Sequence, residues 1–162
     1  MKKILVFSFL LAAASVSYSS LENSAVESTM NITATIIKPL TVQANGPLEF
    51  GTLLPGVLGA ARSSFAIDGE ENARVKITFD GLEANGDNFG VPIALDGSSN
   101  DSFMVYFNCS TDSGEKINQG NKFINLTPMG KSTVHIAAST TPDNRQTPGR
   151  YTGQITIRAT YE

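Results

Sequence analysis

Gly149-Arg150-Tyr151-Thr152-Gly153-Gln154-Ile155-Thr156-Ile157-Arg158-Ala159-Thr160-Tyr161-Glu162 alternates with a period of two. Ile155, Ile157, Ala159 and Tyr161 fall on one side, and Gln154, Thr156, Arg158 and Thr160 on the other. A strand with one face in a core and the other in water needs this pattern. The pattern recurs upstream. Ala73 to Phe79 places Val75, Ile77 and Phe79 on one face, and Ser63 to Ile67, Lys122 to Leu126 and Thr133 to Ala137 are further short runs. Phe103 to Phe107 is apolar on both faces and predicts a central strand, while Pro92 within Val91 to Leu95 predicts an edge. Leu48 to Leu53 predicts a short strand stopped by Pro55-Gly56. Near the other end, Met30-Asn31-Ile32-Thr33-Ala34-Thr35-Ile36 alternates as well, and beyond Pro39 the run Leu40-Thr41-Val42 continues.

Turn residues separate these runs at spacings of roughly ten residues, and no run outside the first twenty residues keeps a helical period. The expected fold is all-β, an antiparallel immunoglobulin-like β-sandwich forming one domain over residues 30–162.

The start of the chain has the layout of a secretion signal. Met1-Lys2-Lys3 is basic, Ile4 to Ala14 is apolar, and small residues follow. The apolar run is too short to span a bilayer. Cleavage is expected after Ser17-Tyr18-Ser19, making 1–19 the signal peptide and the polar stretch 20–29 a flexible arm. The protein is therefore expected to be exported, crossing a periplasm to the cell surface or beyond, with no direct membrane insertion. The precursor has 12 basic and 15 acidic residues. Loss of Lys2 and Lys3 leaves a net charge of about −5 with no basic patch, which argues against nucleic acid as a partner.

Little in the sequence points to catalysis. His135, the single histidine, lies between Val134 and Ile136 and so points away from their face. Cys109, the single cysteine, cannot form an internal disulfide and reads as a small half-buried strand residue. Carboxylates sit in loops (Asp68, Glu70, Glu71; Glu83, Asp87; Asp96, Asp101; Asp112, Glu115), but none of these stretches has the spacing of a twelve-residue calcium loop. No cofactor, metal site or enzymatic activity is expected.

Three stretches carry a resemblance. They are Asn31-Ile32-Thr33-Ala34-Thr35 followed by Pro39-Leu40-Thr41-Val42, then Leu48-Glu49-Phe50-Gly51-Thr52-Leu53-Leu54-Pro55-Gly56, and Gly149-Arg150-Tyr151-Thr152-Gly153. In order and spacing they resemble a bacterial secreted family, domain of unknown function 4402. More distantly, the chain is similar to major subunits of the alpha-type fimbriae built by the chaperone–usher route, with Tyr161 penultimate and Gly149 fourteenth from the end. That resemblance implies an incomplete sandwich with a groove along its core. A periplasmic chaperone would fill the groove before an outer-membrane usher hands the subunit to the fibre, where the N-terminal strand of another copy takes the chaperone's place. Met30, Ile32, Ala34 and Ile36 would be the inserting residues of a donor strand at 30–37. Gly149, Tyr151, Ile155, Ile157, Ala159 and Tyr161 would form the strand that meets the chaperone or the neighbouring subunit.

Two functions fit these residues. One is a pilin-like structural subunit of a surface fibre, assembled from copies of itself by donor-strand exchange. The other is a self-complete secreted sandwich acting as an adhesin or binding module through its loops.

Overall fold

A computed structural model describes residues 27–162 except Glu83 and Ser99. The expected signal peptide and residues 20–26 of the expected arm lie outside the described residues. The chain divides into two units, Met1–Thr35 and Ile36–Glu162.

The unit Ile36–Glu162 is an antiparallel all-β sandwich. Its described residues form eleven strands and no helix: β1 (Thr41–Ala44), β2 (Gly59–Asp68), β3 (Arg74–Phe79), β4 (Ala84–Asn85), β5 (Asn88–Leu95), β6 (Ser102–Thr111), β7 (Lys116–Ile117), β8 (Phe123–Asn125), β9 (Lys131–Thr140), β10 (Tyr151–Thr152) and β11 (Ile157–Tyr161). The larger sheet runs β1-β2-β9-β6-β5-β10, with β4 added to β5 and β7 to β6. The smaller sheet runs β11-β3-β8. The longest ladder pairs β2 with β9 in continuous register from Gly59↔Thr140 to Asp68↔Lys131.

Inward residues follow the predicted alternation. Phe65 and Ile67 of β2, Val75, Ile77 and Phe79 of β3, Val105 and Phe107 of β6, and Val134 and Ile136 of β9 are buried in one core. Four phenylalanines close part of it. Phe79 meets Phe89 at 4.6 Å and Phe107 at 5.3 Å between ring centroids, and it meets Phe65 edge-on at 6.4 Å. Such pairs add about 0.5–1.5 kcal/mol each beyond their buried area. Cys109 lies in this core, and burial pushes its thiol up to about 12, so it stays neutral and inert.

Residues 30–37, expected as a donor strand for another copy, are exposed and form no strand within this chain. A strand needs a neighbour to take its backbone hydrogen bonds, and no strand of the described residues pairs with this stretch. Several expectations are corrected. Residues 48–53 also form no strand; Leu48 and Phe50 instead pack against the core as partly buried side chains. β6 is central, between β9 and β5, but it is not buried on both faces. Met104 and Tyr106 point outward, 39% and 53% exposed. The closing run 149–162 is not one strand. β10 pairs with β5 in the larger sheet and β11 with β3 in the smaller, so the chain changes sheets between Gly153 and Thr156. Pro92 falls in the stretch of β5 that pairs with β6 alone, between the β4 and β10 pairings, which is where a missing N–H costs least.

Candidate functional site

The sheet change leaves a gap in the sandwich. The larger sheet extends its apolar inner face further than the three strands of the smaller sheet cover. The result is an open groove of about 920 Å³. Its floor is Val91, Ile93, Phe103, Val105 and Ile136, contributed by β5, β6 and β9. One wall is the irregular stretch from Pro47 to Leu53, and the other is the stretch from Gly149 to Ile155 with Ile157. Glu49 and Arg150 are the charged residues in its lining.

β11 forms the rim. It has β3 on one side and no strand of the described residues on the other. Its inward residues Ile157, Ala159 and Tyr161 are only half-buried, although they pack against the core. Ile155, just before it, is half-buried too. A row of backbone donors and acceptors beside a half-covered apolar face is the arrangement to which another strand can add.

The wall at 149–155 is built by close approach. A Cβ on Gly153 would meet the Ile93 side chain at 2.6 Å and the Pro92 carbonyl oxygen at 3.1 Å, so glycine lets the chain cross tightly over β5. Gly149 lies equally tight against Leu95. Tyr151 stacks obliquely on Phe103 at 4.9 Å. Its hydroxyl donates to the Thr147 carbonyl at 2.8 Å and accepts from Gln146 Nε2 at 3.0 Å. These bonds hold the turn before β10 in place.

Of the residues expected at the site, Gly149, Tyr151, Ile155 and Ile157 line the groove. Ala159 and Tyr161 lie beyond its end, on the same strand. There the Tyr161 hydroxyl donates to the Lys38 carbonyl and accepts the Glu70 N–H, both at 2.7 Å. Met30, Ile32 and Ile36 are 85%, 90% and 96% exposed, and Ala34 is exposed as well. Sequence reasoning missed the floor. Ile93 falls in an expected edge strand and Phe103 in an expected central strand, and period-two counting does not register the sheet change near Gly153 beside which both are half-covered.

The other candidates stay apart. His135 is exposed on the outer face of β9, 2.5 Å from Asp112 Oδ1. Among the described residues no three His, Cys, Asp or Glu side chains gather where they could hold a metal ion. No helix among them is long and apolar enough to cross a membrane.

The fold is that of an antiparallel β-sandwich with one interrupted side. No family model matches the chain, so the likeness to domain of unknown function 4402 finds no support there. No curated protein matches it either. Among solved structures it is similar to a chain from a chaperone–tip adhesin complex of CFA/I fimbriae biogenesis, with 14% identity and a TM-score of 0.48. The match covers 76% of this chain and 42% of that one, so the present chain spans less than half of that chain's length.

Proposed function

We propose that the protein is a structural subunit of a surface fibre, and that the groove beside β11 takes up the 30–37 strand of a second copy. The observation that carries this reading is the pairing of two incomplete parts in one chain. One is an apolar groove with an open strand edge. The other is an exposed alternating segment without a strand partner among the described residues. Their chemistry matches. Residues 28–37 contain no charge, and the groove is mainly apolar.

Magnitudes show what the union requires. Burying Met30, Ile32 and Ile36 is worth about 1.5–3 kcal/mol each. Association costs an estimated ~4–15 kcal/mol. Side-chain burial alone therefore comes out near balance, and ladder bonds along the open edge of β11 are needed to tip it. An added strand satisfies both demands at once, which a compact ligand in the same groove does not. Export, a periplasmic chaperone and an outer-membrane usher belong to this reading as the route by which an exposed groove would be kept from premature pairing. No catalytic activity is assigned.

The test is the mass of the purified mature protein by size-exclusion chromatography with light scattering, with and without residues up to Ile37. The expected result is polymer from the full chain, and from the truncated chain a monomer that binds a peptide of residues 28–37. Ile32→Asp should block assembly by carrying an unpaired charge into the groove. A truncated protein that still polymerises, or an Ile32→Asp protein that assembles normally, counts against the reading. A full-length monomer that unfolds on truncation would favour a self-complete binding module.

A further inference from the structure

Resting on that reading, we infer that the clamp around Lys38 sets the direction of assembly: it holds the donor segment too far from its own groove to fill it, so insertion goes to a second copy. Three attachments fix residue 38. Its carbonyl accepts the Tyr161 hydroxyl at 2.7 Å, its N–H donates to Glu70 Oε2 at 2.7 Å, and its ammonium pairs with Asp68. The same tyrosine hydroxyl accepts the Glu70 N–H, which joins the first two attachments. Leu40 and Tyr161 close over Gly69 so tightly that a Cβ there would meet both.

This clamp and the groove lie at opposite ends of β11. Tyr161 is at the clamp, and Ile157 is the first groove residue reached from it. They are four residue steps apart along the strand, about 13 Å. β2 gives the same measure on the facing sheet. Asp68 belongs to the clamp, while Ser64 and Ser63 reach the groove. Those four to five residues span roughly 14–17 Å.

A chain reaches at most about 3.6 Å per residue. Ile36 is two residues before Lys38, so it stays within roughly 7 Å of the clamp and cannot enter its own groove. Ala34 comes, fully stretched, to about 14 Å and meets only the near rim. Any reversal of direction at residues 36–37 shortens the reach further. Self-insertion could therefore seat Met30 and Ile32 alone, whereas a separate copy can present all four residues.

The test lengthens the tether without touching either partner surface. A Gly/Ser insert of roughly six residues between Ile37 and Lys38 adds an r.m.s. span of about 13 Å, which matches the gap. A short flexible link gives an effective concentration on the order of 1 mM. At about 10 μM protein, self-closure should then win by roughly 100-fold, and the full-length insert protein should run as monomer where the unmodified chain is polymer. Adding Ile32→Asp to the insert protein should lower its melting temperature, because the residue now sits in its own groove. Tyr161→Phe, which frees the Lys38 carbonyl while keeping the ring, should raise the monomer fraction in the same direction by less. Polymer from the insert protein equal to that of the unmodified chain would overturn this inference and leave the fibre-subunit reading standing. So would an insert monomer whose melting temperature ignores Ile32→Asp. An unmodified chain that is monomeric at all concentrations would overturn both.

Discussion

β3 and β11 are neighbours in one sheet, paired from Val75↔Tyr161 to Phe79↔Ile157, and both alternate cleanly. Their inward faces nevertheless end differently. Val75, Ile77 and Phe79 are at most 4% exposed, while Ile157, Ala159 and Tyr161 are half-buried. β3 has β11 and β8 on its two sides, and among the described residues β11 has β3 alone. Alternation tells a strand which face to turn inward. Whether anything covers that face depends on the neighbours, and these the pattern does not specify.

Substitutions can widen or close this difference. The largest effect is expected at Ile77. Ile77→Ala should lower unfolding stability by about 2–5 kcal/mol in urea titrations, since the packed β3 face cannot collapse into the space left. Ile157→Ala in the protein lacking residues up to Ile37 should cost only about 1 kcal/mol, because much of that side chain is already in water. Adding the 28–37 peptide should raise the cost of Ile157→Ala and leave that of Ile77→Ala unchanged. Equal costs at the two sites without peptide would mean that the groove is closed in solution.

A smaller effect concerns pH. Arg158 on β11 grips Asp80, just after β3, through Nε at 3.1 Å and Nη2 at 2.8 Å, and holds its carboxyl below the ordinary range. Lys38 does the same for Asp68. A carboxylate with a lowered folded pKa contributes its stability in full above the ordinary value near ~3.9 and loses it as pH falls through the folded value. The melting temperature should therefore be level from neutral pH to about 5 and drop below about 4. Asp80→Asn should soften that drop. Both pairs are exposed, so added salt should shrink their share. The smallest expected signal is at Cys109. Alkylation of the native protein should be near zero at pH 8 and become complete only on unfolding, because burial keeps the thiol neutral. Fast native labelling would show that the core under β6 opens.

Much of the fold was legible because burial imposes a period on the chain. The strands β2, β3, β8 and β9 each overlap a run read from alternation, β6 contains the run read as apolar on both faces, and His135 points outward as its neighbours require. Three features were not legible, each for a physical reason. Leu48 and Phe50 have the spacing of a strand, but a side chain can pack against a core without its backbone finding a ladder partner. Met104 and Tyr106 made β6 look buried on both sides, although a sheet exposes some large apolar groups to water as a matter of course. The sheet change at Gly153 leaves no mark in the alternation, since period two persists across it. The candidate groove was therefore half readable. The wall residues Gly149, Tyr151, Ile155 and Ile157 stood out in sequence, and the floor beneath them did not.

The crossing of the last strand from one sheet to the other has a mechanical consequence. β10 is stitched to β5 and β11 to β3, with residues 153–156 outside both ladders. A pull along this segment loads two ladders on opposite faces, and both are sheared along their length instead of being peeled one bond at a time. Sliding of one sheet past the other would load both of those ladders through residues 153–156. Gly153, which lets the crossing lie flat on β5, is thus where tension would pass between the layers.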